Sequence, residues 1–215
     1  MRPTDASRFH DIAQSLRLRI CLLDPSQTHV LHENSLAREF GVSRTPIRQA
    51  LQRLAYERLI ETRTGVGNVV PPLPKGRLGQ DCAILAGLLE VAAGTADGPL
   101  PLAFRIEVAA MQVSLATRGA TGPDATERFA LHARLADVIR ALVNDQVLAE
   151  AISAIHWRVL RVICHADAAG LDGHNRAMRS LMAALMEAET ATTALGHTAA
   201  FFAGLDPAVG KPPGN

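Results

Sequence analysis

A proline-rich stretch, PPLPKG at residues 71–76, divides this chain of 215 residues into two parts. Proline lacks a backbone N–H and clashes with the preceding turn, so neither a helix nor a central strand can pass through this stretch. We therefore predict one domain over residues 1–70 and a second over residues 77–206, joined by a linker at 71–76. The last residues, 207–215, contain three prolines and two glycines and are typical of a flexible tail.

The composition favours helices and a reducing compartment. Apolar residues make up 48% of the chain but aromatic residues only 4%, so alanine and leucine must supply most of the core. The three cysteines lie far apart and in no paired motif, which predicts free thiols and a cytoplasmic location. No apolar run reaches the roughly 18–20 residues that a membrane-spanning helix needs, so we expect no contact with a membrane.

The charge is distributed unevenly along the chain. Residues 1–75 carry 11 Lys+Arg against 7 Asp+Glu, a net charge of +4, whereas residues 76–215 carry 11 against 14, a net charge of −3. A basic first domain followed by an acidic second one suggests a polyanionic partner for the first domain only.

Short helices and one hairpin are predicted in the first domain. Apolar residues at helical spacing predict a first helix that begins near Asp5 or Ser7. A second short helix covers 33–40 and ends at Gly41, and a third covers about 43–58. Residues 59–70 have β-branched ends around a Gly-x-Gly tip, which predicts a hairpin. Three helices followed by a hairpin are the layout of a winged helix-turn-helix.

The third predicted helix, in GVSRTPIRQALQRL, has one apolar and one basic face. Ser43 can cap its N-terminus, and Pro46 fits in the first turn, where no N–H is needed. Arg44 and Arg48 then lie at the helix end that attracts phosphate, and arginine can pair with guanine in the major groove. From the helix alone, an ordinary solvated face is an equally good interpretation, because any half-buried helix shows one.

The segment SLAREFGVSRTPIRQALQRLAYERLIETRTGVGNVV resembles the DNA-binding domain of GntR-family bacterial transcription regulators, over about residues 9–70. The resemblance implies that the chain binds an operator in double-stranded DNA through the third helix and the tip of the wing. The implied contact residues are Ser43, Arg44, Thr45, Pro46, Arg48, Thr64, Gly65 and Gly67. The chain departs from the family pattern at Gln27 and Thr28, where a Pro-Gly pair is usual, and at Asn34, where arginine is common.

The second domain is predicted to be an all-α bundle of six helices, at about 77–93, 102–118, 124–143, 145–166, 173–188 and 191–203. A domain of this kind resembles the FCD type (the fatty-acid regulator C-terminal domain) of the GntR family. That resemblance implies a divalent metal ion, such as Zn, Ni or Mn, held by His132, His174 and His197, with open positions for a carboxylate effector. The last two histidines can meet only if the chain turns within 186–193, because one straight helix would separate them by about 34 Å.

Arg128 stands where the FCD type has an aspartate ligand, four residues before His132. An arginine repels a cation, so a metal-free pocket in which Arg128 grips a carboxylate directly is a second possibility. A pocket without such a ligand is the third. Arg105 is a weaker candidate for effector binding, and the alternative is a surface arginine paired with a nearby acid. His156 lies in an apolar stripe and is expected to be a hydrogen-bonded core residue.

No motif of a common enzyme class is present, including a nucleophile elbow, a phosphate-binding loop and a His-Glu-x-x-His sequence. A metal-dependent or other enzyme with an accessory DNA-binding domain is the alternative, because three histidines and a metal could activate water. We expect a ligand-responsive repressor rather than an enzyme. The resemblance implies that it works as a homodimer and responds to a small organic acid.

Overall fold

The computed structural model describes residues 5–74, 76–117, 123–165 and 168–205. The chain divides into two compact units, Met1–Pro74 and Lys75–Asn215. In the described residues, three helices and a small sheet occupy the first unit and six helices the second, which confirms the predicted fold class. The predicted tail at 207–215 lies outside the described residues.

The first unit is a winged helix-turn-helix with a third strand that the sequence did not predict. Its elements are α1 (Asp5–Leu22), β1 (His29–Leu31), α2 (Glu33–Phe40), α3 (Arg44–Tyr56), β2 (Glu61–Arg63) and β3 (Gly67–Val70). The sheet order is β1-β3-β2, and both pairs are antiparallel, with Val69 opposite Val30 on one side and Glu61 on the other. The additional strand, β1, therefore ties the segment before α2 to the wing.

The core of this unit lies between α1, α3 and the sheet. The apolar face predicted for α1 is buried at Ile12, Leu16 and Ile20, and side chains of α3, β3 and the turn before β2 complete the core: Ile47, Ala50, Leu51, Leu54, Leu59, Ile60, Val69 and Val70. One buried ion pair joins α1 to the end of α3, where Arg17 donates to both carboxylate oxygens of Glu57 at 2.7 and 2.5 Å. These contacts fix the orientation of α3.

The second unit contains the six predicted helices. They are α4 (Leu78–Thr95), α5 (Leu102–Thr117), α6 (Ala125–Arg140), α7 (Gln146–Ile163), α8 (Ala168–Glu187) and α9 (Ala191–Ala203). Helix α4 packs against α7 and α9, while α5 packs against α6 and α8. The side chains of Asp124, Asp145 and Thr190 cap the N-termini of α6, α7 and α9, as expected of short polar residues at those positions. Among the described helices, none has the length and apolarity needed to cross a membrane.

Candidate nucleic-acid interface and histidine cluster

The turn between α2 and α3 fixes which face of α3 is exposed. Helix α2 ends at Gly41, whose φ of 64° lies in the left-handed region that glycine adopts without strain. Ser43 occupies the N-cap position of α3 in an extended conformation, but its hydroxyl makes no capping hydrogen bond. Because Ile47, Ala50, Leu51 and Leu54 are buried, the opposite, basic face of α3 points away from the core.

The residues predicted to contact DNA lie at the surface. Ser43, Arg44, Thr45 and Arg48 are exposed and Pro46 is half-buried, all within the first two turns of α3 or at its cap. At the tip of the hairpin, Thr64, Gly65 and Gly67 are exposed, and both glycines have left-handed φ values of 77° and 106°. The hydroxyl and backbone N–H groups at the start of α3 are thus available to a phosphate or a base edge.

Arg48 is held by an acid that sequence reasoning missed. Its Nε and one terminal nitrogen donate to the carboxylate of Glu33, the first residue of α2, at 3.3 and 3.0 Å. This pairing raises the pKa of Arg48, and 56% of the arginine side chain remains exposed. Glu33 therefore positions Arg48 without covering it. The glutamate was visible in the sequence, but nothing in its spacing indicated that it would meet a residue 15 positions later.

Three histidines from three helices form a buried cluster in the second unit, which we call the histidine cluster: His132 of α6, His156 of α7 and His174 of α8. The Nε2 atoms of His132 and His174 lie 3.0 Å apart in a hydrogen bond, and their rings stack at a centroid distance of 5.1 Å. The ring of His156 meets that of His132 edge-on at 5.6 Å. The Nδ1 atoms of His132 and His174 and the Nε2 atom of His156 have no hydrogen-bond partner.

The histidine cluster is electrically neutral at pH 7. Burial lowers the pKa of His156 to about 4, and burial together with the positive charge of Arg128 lowers that of His174 to about 4. For His132, burial and the neighbouring His174, His156 and Arg128 hold the pKa well below its usual value. A neutral imidazole pair can share one hydrogen bond only if one ring donates and the other accepts.

Arg128 lies one turn before His132 on α6 and is 7% exposed. One terminal nitrogen donates to the carbonyl oxygen of Pro123 at 2.5 Å, whereas its Nε has no hydrogen-bond partner. Burial lowers the pKa of this guanidinium, with opposing contributions from Cys164 and Asp124. Among the described residues it joins no ion pair, which is unusual for a buried arginine.

The first unit matches a known family. The family model described as "Bacterial regulatory proteins, gntR family" matches residues 10–70. This segment runs from α1 to the end of β3 and includes α3 with its exposed basic face. Residues 10–70 are therefore similar to the DNA-binding domain of GntR-family regulators. The gluconate operon transcriptional repressor of Bacillus licheniformis is 42% identical over 69 residues, which are 32% of this chain and 28% of that protein.

A second relative is also a transcription regulator that matches over a short segment. It is an HTH-type transcriptional regulator in an unstable DNA locus of Streptomyces ambofaciens, 37% identical over 68 residues, 32% of this chain and 29% of that protein. The chain thus spans less than a third of the length of either relative. Both are described as transcription regulators, so they give no support to the enzyme alternative.

Two solved structures resemble the chain over both units. E. coli McbR/YncC has a TM-score of 0.62 at 22% identity, over 94% of this chain and 94% of that chain. A transcriptional regulator, GntR, from Rhodococcus sp. RHA1 has a TM-score of 0.53 at 18% identity, over 90% of this chain and 92% of that chain. At these identities the likeness establishes the shared fold.

The structure brings together only two of the three histidines expected from the FCD resemblance. His197 is exposed, because α9 buries its neighbours Thr198 and Phe202, and it lines a groove of about 280 Å³ between α8 and α9. His156, which was expected to be a hydrogen-bonded core residue, is buried as expected and is the third member of the histidine cluster, although its Nε2 atom has no hydrogen-bond partner. Only its place in an apolar stripe of α7 indicated that it would be buried.

The side chains present do not fit a metal ion as they stand. Within the described ranges, no group of three or more His, Cys, Asp or Glu side chains is arranged to hold a metal. The Nε2 atoms of His132 and His174 are hydrogen-bonded to each other, and the nearby Arg128 is a cation that would repel a metal ion. Arg105 is exposed on α5 and joins no ion pair among the described residues.

Proposed function

We propose that the chain is a ligand-responsive transcription repressor that binds operator DNA as a homodimer. The observation that carries the proposal is the exposed first turn of α3 in the GntR-family domain, with Arg44 and Thr45 beside an uncommitted Ser43 hydroxyl. Helices of this type place their N-terminal residues against base edges in the major groove. Arg44 and Arg48 can each donate two hydrogen bonds to a guanine there.

The proposed repressor role is carried over from the gluconate operon transcriptional repressor of Bacillus licheniformis, which is 42% identical over 69 residues. A homodimer would present two winged domains to two half-sites of a near-palindromic operator. Helix α5 supports the homodimer, because Leu102, Ile106 and Val113 lie on one face at helical spacing and are 58–72% exposed. A second copy of the chain would bury this apolar face.

We place the effector, a small organic acid, at Arg128 and the histidine cluster. Arg128 supplies a buried positive charge without an ion pair, and the unpartnered Nδ1 atoms of His132 and His174 supply further polar groups. A carboxylate gripped by Arg128 requires no metal ion, so the metal-free pocket explains the arginine better than a metal site does. Effector binding would shift the population between arrangements of the two DNA-binding domains.

Fluorescence anisotropy with a labelled operator duplex tests the proposal. We expect Arg44→Ala and Arg48→Ala each to weaken specific binding roughly 5- to 150-fold, the range for loss of a bidentate base contact, with unchanged circular dichroism. Arg19→Ala is the matched control, because Arg19 is a surface arginine of the same unit that pairs with Glu39 on α2. Unchanged affinity in both α3 variants would remove the basis for the assignment.

A further inference from the structure

A groove separates α3 from the hairpin in the GntR-family domain, and we call it the α3–hairpin groove. Gln52 and Tyr56 line it from α3, Arg58 from the turn that follows, and Thr62 and Asn68 from the hairpin. Its volume is about 580 Å³. The ion pair between Glu33 and Arg48 lies at the same groove, so the two charges offset each other and Arg58 supplies the remaining positive charge.

Arg58 has an uncommon backbone conformation. Its φ is 59°, and within the described residues it is the one non-glycine residue with a positive φ. The turn is required by the fold, because the N–H of Arg58 donates to the carbonyl of Ala55, and Leu59 and Ile60 enter the core directly after it. Glycine would make this turn without strain, whereas an arginine there is strained.

The chain's own contacts do not explain the arginine at this position. The Arg58 side chain is exposed and forms no ion pair within the described part of the chain. The neighbouring acids are already engaged, since Glu57 pairs with Arg17 and Arg53, and Glu61 pairs with Arg63. A strained backbone that carries an uncommitted cation into a groove is a reason to look for an external anion.

The phosphate groups of bound DNA would provide that anion. If α3 enters the major groove and the wing tip reaches the adjacent minor groove, the sugar-phosphate strand that separates the two grooves must cross the surface between α3 and the hairpin. That surface is the α3–hairpin groove. The groove offers this strand one cation, Arg58, and neutral hydrogen-bonding side chains such as Gln52 and the 84%-exposed Tyr56.

We infer that the α3–hairpin groove holds a DNA phosphate strand and that Arg58 is its phosphate-binding cation. The inference rests on the proposed function, because it assumes that α3 enters the major groove. This role explains why the turn carries an arginine, although glycine would form the same turn without strain. A contact of this kind adds affinity for DNA of any sequence and leaves the choice of base to α3.

The test compares Arg58→Gly with Arg58→Lys in the full chain. Glycine relieves the strain and removes the charge, so we expect the melting temperature of the first unit to rise by about 4 °C. We expect the same variant to weaken binding about tenfold at 0.1 M salt, equally for an operator duplex and a random duplex. The slope of log K against log salt should become shallower by about 0.9. Arg58→Lys should keep the wild-type slope.

Opposite effects on stability and affinity identify the role of Arg58. If Arg58→Gly keeps the wild-type affinity and salt slope, the inference is overturned, while operator binding that depends on Arg44 would still stand. If the wild-type chain binds no DNA, the proposed function fails and the inference fails with it. Should the glycine variant fold poorly, Arg58→Asn provides the same neutral comparison, because asparagine also tolerates a left-handed φ.

Discussion

Acidification should destabilise the second unit through the histidine cluster. His156 and His174 are neutral in the folded chain because burial lowers their pKa to about 4. In the unfolded chain the pKa of each imidazole is about 6.5. Between pH 6.5 and pH 4 the unfolded state therefore binds protons that the folded state does not, and stability is lost as the pH falls through this window.

The size of the effect follows from the two pKa values. For one histidine with pKa values of about 6.5 unfolded and about 4 folded, lowering the pH from 7 to 5 removes about 2 kcal/mol of unfolding free energy. His156 and His174 together should therefore cost about 4 kcal/mol. His132 adds to the loss, because its pKa is also lowered in the folded state. Among the described residues, the carboxyl groups with a clearly lowered pKa are Asp24 and Glu39. Both belong to the first unit, so their titration does not contribute to the loss of stability in the second unit.

Urea unfolding at pH 7 and pH 5, followed by tryptophan fluorescence, measures this loss. Trp157 is the only tryptophan of the chain, and its ring lies 5.9 Å from that of His156, so its signal reports on the cluster. We expect His156→Leu to lose about 2 kcal/mol less stability than the wild type over this pH range, because one of the three titrating histidines is gone. His197→Leu is the control, since His197 is exposed on α9.

The reasoning is refuted if His156→Leu shows the same loss between pH 7 and pH 5 as the wild type. A pH dependence that disappears in His197→Leu would also contradict it, because that histidine lies outside the cluster.

Four further changes test other parts of the structure. Gly41→Ala should destabilise the first unit by about 1–2 kcal/mol, measured by thermal unfolding, because its φ of 64° is strained for alanine although no atom lies within 4 Å of the added methyl group. Glu57→Gln should cost about 3–5 kcal/mol in the same assay, because it removes the carboxylate that pairs with the buried Arg17. Ile106→Glu should convert a dimer to a monomer in sedimentation experiments, whereas Val147→Glu, also exposed but on α7, should not. Treatment with a chelator should leave the melting temperature unchanged, and metal found by elemental analysis at one equivalent would contradict the metal-free pocket.

Much of the first unit could be predicted because its signals are local. The glycine that ends α2, the cap and proline of α3, and the apolar spacing of α1 each depend on residues within one or two turns. Strand β1 could not be predicted in this way, since its three residues are too few to show alternation and it is defined by pairing with β3, about 40 residues later. The left-handed turn at Arg58 was missed because its usual signal, a glycine, is absent.

The histidine cluster could be predicted only in part, for a different physical reason. Sequence spacing correctly required a turn between α8 and α9, but it does not give the rotation of α9 about its axis. That rotation depends on which side chains the rest of the bundle buries, and burial of Thr198 and Phe202 turns His197 outwards. The same packing turns His156 inwards, to a position that only the three-dimensional arrangement of α6, α7 and α8 defines.

Selection of binding sites from a random duplex library, with the wild-type chain and Arg44→Ala side by side, tests the central claim most directly. The account predicts that the wild type enriches a near-palindromic sequence whose half-sites lie about one helical turn apart, with guanines at the positions that α3 reads. Arg44→Ala should fail to enrich guanine at one position of each half-site. No enrichment by the wild type, or the same enriched sequence with the variant, would contradict the assignment of α3 as the helix that reads DNA.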